Sequence, residues 1–170
     1  MTETSPSDRE LADQFRDALQ DVKPARVVVL CVGNPQRGDD GFGPAVAAGL
    51  TAGGQARVFD CHTTPENDLP FVAGLEPEVV LFVDAVHFDG EPGALRLLGP
   101  DELRADDFST HAGSLTIAAD FLSEACGARS LLLAAQPADV ELGAGISEEM
   151  ERAVERATEL LAEALTPSER

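Results

Sequence analysis

Basic residues are scarce. Twelve Lys and Arg stand against 31 Asp and Glu in 170 residues, for a formal net charge of −19. Nucleic acid and anionic membrane surfaces would repel such a chain, so both are excluded as partners on electrostatic grounds. Only one of the twelve is a lysine, Lys23, and the acidic surface is read as adaptation to solvent rather than as a site. Cysteine is sparse as well. Cys31, Cys61 and Cys126 lie too far apart for a short-spaced zinc motif, and their odd number makes a poor disulfide framework. A reducing cytoplasm is therefore the expected compartment. No stretch approaches the ~18 consecutive apolar residues of a membrane span. The opening MTETSPSDRE lacks a positive stretch followed by an apolar core, so no secretory signal is expected.

What is present is enough apolar residue, 44%, to build a real core. One domain over residues 1–170 is expected, with its core at roughly 24–166. Leu11, Phe15, Ala18 and Leu19 share a face at helical spacing within 7–22, and Pro24 ends that helix. Residues 26–32 and 79–84 are Val- and Leu-rich runs of the kind buried on both faces of a sheet. Residues 56–60 and 130–135 read as two further strands. A helix is expected from FGPAVAAGL, another from Thr64 and Pro65 through Leu75, and a stripe of Leu115, Ala118, Leu122 and Ala125 marks a third, ended by Gly127. Residues 93–98 follow a loop, HFDGEPG, too short for a helical crossover, so they predict an antiparallel or rim strand. Ile146, Met150, Ala153, Ala157, Leu160 and Ala164 line a long last helix. Alternating strands and helices make an α/β fold with a mostly parallel sheet between helix layers.

Ligands in such sheets bind beyond the carboxyl ends of the strands. Asp39 and Asp40, Asp60 and His62, Asp84 and His87, and Gln136 each follow a strand, and His111 precedes the helix leading to the last one. Each has an ordinary alternative. One of Asp39 and Asp40 is expected to cap the next helix, which leaves the other for chemistry. Asp60 can bond loop N–H groups, Glu66 can pair with Thr63 in a capping arrangement, and His111 can brace a helix. Asp84 is weighed toward a structural role, and His62 and His87 are weak individually. Together, two carboxylates and an imidazole from three loops make a divalent-metal site the best physical reading, with nickel, zinc and manganese all compatible. GNPQRGDDGFG is neither a dinucleotide fingerprint nor a phosphate loop, because its spacing is wrong and no lysine follows.

VVVLCVGNPQRGDDGFGPAV resembles the amino-terminal signature of the [NiFe]-hydrogenase maturation endopeptidases, GNxxxxDDGxG after an apolar strand. FDCHTTPENDLPFVAGLEPEVVLFVDAV, PGALRLL, STHAGSL and AAQPADVELG continue the resemblance in order across residues 26–165. The PEND and STH segments resemble the branch that serves formate-linked, hydrogen-evolving hydrogenases. The resemblance implies a three-layer α/β/α sandwich, phosphorylase/hydrolase-like, around a mixed five-stranded sheet. It implies a peptidase, often grouped with the aspartic type, that removes the carboxy-terminal extension of a hydrogenase large-subunit precursor after nickel insertion. The nickel would arrive with the precursor, the enzyme itself would be a monomer, and the family's metal-contacting residues map onto Asp40, Asp60 and His111. Cys61 and His62 stand where the family often has Gly-Gly. A non-cleaving nickel-binding checkpoint or chaperone and a metal-dependent small-molecule hydrolase are the alternative classes.

Overall fold

A reciprocal cap starts the first helix. Ser7 Oγ accepts from Glu10 N at 3.3 Å, and the Glu10 carboxylate accepts from Ser7 N at 2.7 Å. The computed structural model describes residues 5–54, 57–104 and 112–167. Its helices are α1 (Asp8–Ala18), α2 (Phe42–Ala52), α3 (Leu69–Gly74), α4 (Pro100–Arg104), α5 (Ala112–Cys126) and α6 (Glu148–Ala164). Its strands are β1 (Val27–Val32), β2 (Val58–His62), β3 (Val79–Ala85), β4 (Leu95–Leu98) and β5 (Arg129–Ala135).

The strands form one sheet in the order β2-β1-β3-β5-β4. Four run parallel, and β4 pairs antiparallel to β5 at the edge, where the short preceding loop leaves no room for a crossover helix. Strands β1 and β3 are buried along their whole length, as residues covered on both faces must be. One face packs Val27, Val29, Leu81 and Leu133 against Leu11 and Phe15 of α1, Phe42 and Val46 of α2, and Met150 and Leu161 of α6. The other packs Val28, Val80, Phe82 and Leu132 against Leu69 and Val72 of α3, Leu103 of α4, and Leu115 and Leu122 of α5. The result is the three-layer α/β/α sandwich.

Three local expectations change. The segment after Thr64 is not one helix but a tight turn at Pro65–Asn67 followed by α3, which begins at Leu69. Pro70 has no N–H to bond back one turn, so a helix cannot run through it. Thr64 caps the turn's start without a side-chain bond to the backbone, and Glu66 makes no capping pair with Thr63. Strand β2 extends to His62, which places Asp60 inside the strand, and the ladder with β1 shifts register between Cys31 and Val32. The short α4 was not anticipated; Glu102 Oε2 accepts from Gly99 N at 2.8 Å at its start.

Gly43 shows how tightly α2 lies on the sheet. A Cβ there would stand 2.1 Å from the Val32 carbonyl oxygen and 2.8 Å from that of Val83. Only glycine allows that approach, and the loop just before α2 is thereby pressed onto the carboxyl ends of β1 and β3.

Candidate active site

The loop from Gly33 to Gly41 carries two acids with separate roles. Neither caps α2, whose N-cap is Gly41 with no side-chain bond. Asp39, 1% exposed, turns away from α2 and accepts from Ala138 N at 2.7 Å, Ser147 N at 2.8 Å and Ser147 Oγ at 2.8 Å. Asp40, 7% exposed, accepts from Asn34 N at 2.9 Å through Oδ2. Its Oδ1 has no hydrogen bond among the described residues. Asp39 is thus a structural acid, as expected for one of the pair, but it braces a distant loop instead of the next helix.

Asp84, near the end of β3, is 1% exposed, and neither carboxyl oxygen has a hydrogen-bond partner among the described residues. Burial, then the neighbouring Asp40 carboxylate, push its pKa well above the ordinary range, against a smaller pull from the Ala85 backbone. By hydrogen-bond geometry Asp84 therefore braces nothing among the described residues. Buried polar groups are normally paired, and an orphaned one beside a second acid is the kind of group a functional site holds ready. The clue in the sequence was an acid closing the run VVLFVD, where an acid destined only for solvent has no reason to sit.

Asp60 is held differently. Its Oδ1 accepts from His62 N at 3.1 Å and lies 3.7 Å from His62 Nδ1, with the Asp60 side chain 34% exposed. Strand alternation puts Asp60 on the face of Val58, against α2, while Asp84 shares the opposite face with Phe82. His62 has φ +51, a left-handed conformation that its bond to Asp60 helps to hold at the end of β2. Gln136 Oε1 accepts from Phe88 N at 2.8 Å and Gly90 N at 3.2 Å, and its Nε2 lies 3.2 Å from His87 Nδ1. Gln136 therefore fixes the loop after β3. His111 lies outside the described residues.

The structure accordingly places Asp40 within electrostatic reach of Asp84, pairs Asp60 with His62, and pairs His87 with Gln136, all along one carboxyl edge. Among the described residues no group of three or more His, Cys, Asp or Glu side chains gathers as a metal site. Burial, with Asp68 next, pushes the Cys61 thiol up, so it stays a thiol and is a poor nucleophile. Asp40 Oδ1 is an uncommitted carboxylate donor for a divalent cation at this edge, whereas both Asp84 oxygens are closed off from solvent.

Comparison with known proteins gives a consistent result. Residues 42–164 match a family model described as hydrogenase maturation protease, HycI. The chain is 39% identical over 114 residues to Hydrogenase 3 maturation protease of Escherichia coli K12, covering 65% of this chain and 72% of that protein. It is similar to the crystal structure of a [NiFe] hydrogenase maturation protease HycI from Thermococcus kodakarensis KOD1, with 35% identity, TM-score 0.78, and coverage of 91% of this chain and 97% of that one. It is also similar to the solution structure of the endopeptidase HycI from Escherichia coli, with 31% identity, TM-score 0.71, and coverage of 81% and 89%.

Proposed function

Because the chain belongs to the hydrogenase maturation protease family, we propose that it is an endopeptidase that removes the carboxy-terminal extension of a [NiFe]-hydrogenase large-subunit precursor once nickel is in place. The observation that carries the reading to this site is the buried pair Asp40 and Asp84, one partly bonded and one wholly unpartnered, at the carboxyl edge of a sheet.

The pair explains selectivity for a loaded precursor. Two acids confined together disfavour each other's charge, and a cation carried in by the substrate removes that conflict. A precursor without the ion brings nothing to offset it. Nickel is thus part of the substrate, with Asp40, Asp60 and His111 assigned as its ligands by resemblance and Asp84 as the buried acid neighbouring Asp40. Asp60 sits at the edge of the mouth, where His62 fixes its orientation. Peptide hydrolysis further needs a water that loses a proton. Asp40 is the more open of the two buried acids, so of the pair it is the one that water reaches. The aspartic-type label fits these acids, and action as a cytoplasmic monomer completes the proposal.

The test is processing of nickel-loaded precursor by purified variants, read by gel shift. Asp40→Ala, Asp84→Asn, Asp60→Ala and His111→Ala are each expected to abolish cleavage while keeping the fold. Normal cleavage by both Asp40→Ala and Asp84→Asn would remove the site from the reaction.

A further inference from the structure

We propose that Asp39 and Ser147 form a positioning latch for the reaction, setting the place of Asp40 from the amino end of α6. The inference rests on the protease reading above and adds two residues to it.

The contacts run between two loops about a hundred residues apart in sequence, and both lie at the carboxyl edge. Asp39 Oδ1 takes Ser147 N at 2.8 Å, and Oδ2 takes Ala138 N at 2.7 Å, Ser147 Oγ at 2.8 Å and, more weakly, Asp139 N at 3.5 Å. The backbones are joined as well: Asp39 N to Asp139 O at 2.8 Å, Gly38 N to Ala144 O at 3.0 Å, and Gly143 N to Gln36 O at 2.8 Å. Gly38 has φ +55, and a Cβ on it would stand 2.4 Å from the Asp139 carbonyl oxygen, so the two backbones meet with no space for a side chain. A Cβ on Gly41 would touch Ile146 at 3.5 Å.

Ser147 connects this seam to a rigid body. Its hydroxyl donates to Asp39 while accepting from Met150 N at 3.2 Å, as the N-cap of α6. Met150, Ala153, Ala157 and Leu161 of α6 are fully buried, so the helix does not shift without disturbing the core. The Asp39 charge also sits at the favourable end of the α6 dipole. Asp40 is the next residue along, in the same tight turn of Gly38–Gly41, with its own N–H on the Arg37 carbonyl. The Asp39 carbonyl also accepts from Phe42 N at the start of α2, but the Asp39 side chain bonds only the segment from Ala138 to Ser147, which leads into α6. Reaction rates depend steeply on sub-ångström placement of such groups.

The test compares Ser147→Ala, Ser147→Thr and Asp39→Asn with wild type on nickel-loaded precursor, at a temperature where circular dichroism shows every variant folded. Ser147→Ala removes the hydroxyl, and Ser147→Thr keeps one. Asp39→Asn puts an amide donor against N–H groups. Ser147→Ala is expected to lower kcat by about tenfold with KM within about twofold, and Ser147→Thr to recover most of the loss. If Asp39→Asn does not fold, the serine pair decides alone. A Ser147→Ala enzyme with a lower melting temperature but wild-type kcat would reduce the seam to simple stabilisation and overturn the proposal. So would a loss not recovered by threonine. Failure of the wild type itself to cleave would instead strike the protease reading.

Discussion

Replacing Asp84 by asparagine is expected to make the isolated protein more stable at neutral pH while destroying its activity. The carboxyl group is 1% exposed, bonds nothing among the described residues, and has Asp40 for a neighbour. Its folded pKa is therefore raised above the ordinary 3.8. Below that ordinary value both folded and unfolded chains carry the proton, and the group is neutral in the balance. As pH rises, the unfolded chain releases its proton while the folded chain keeps it, so stability from this group is lost progressively until the folded pKa is passed. The slope for one proton is about 1.4 kcal/mol per pH unit. Asparagine has nearly the same shape and no proton to release, so it escapes this slope. Urea unfolding followed by circular dichroism suits a chain without tryptophan, compared at about pH 5 and about pH 6. The advantage of Asp84→Asn over wild type should grow between the two by up to that slope. An advantage independent of pH, or a destabilised variant at both, would mean that Asp84 is charged and paired in the folded state, and the reasoning would fail.

Gly43→Ala must move backbone, since its Cβ would stand 2.1 Å from the Val32 carbonyl oxygen; a loss of about 3 kcal/mol or outright misfolding is expected in a thermal melt. Ser7→Ala removes the reciprocal cap of α1 and should cost about 1 kcal/mol in urea unfolding with processing unchanged. Leu122→Ala empties a fully buried position between α5 and the sheet, and a loss of roughly 2–5 kcal/mol is expected by the same assay. Asp60→Ala, at a partly exposed side chain, should change stability by less than about 0.5 kcal/mol, so that any loss of processing reports on the reaction and not on the fold.

The layered fold was legible because its signals are local. VVVLCV and VVLFVDA are apolar without alternation, which is how a strand covered on both faces reads, and the seven residues of HFDGEPG allow nothing but an antiparallel or rim strand. The boundaries of β2 were less legible, because an edge strand takes its register from its neighbour: Val58 pairs with Val29, and nothing in the β2 sequence records that. Likewise Pro70 stands where a helix start tolerates it, and only the backbone shows that the helix starts there. In the site, the residues placed the acids at the right edge, but only the resemblance chose Asp40 over Asp39, because what distinguishes them in the fold is a serine 108 residues away from the first. Nor could the sequence show that Asp84 lacks a hydrogen-bond partner among the described residues while Asp60 has His62, a fact about packing rather than about composition.

The central claim is most directly tested by the mass of the substrate. Purified protein is incubated with hydrogenase large-subunit precursor, loaded with nickel in one sample and free of it in another, and both are measured by intact-protein mass spectrometry. The account predicts a single loss of mass from the carboxyl terminus in the loaded sample and an unchanged precursor in the other. A loaded precursor that remains whole, or one cut equally with and without nickel, would contradict it.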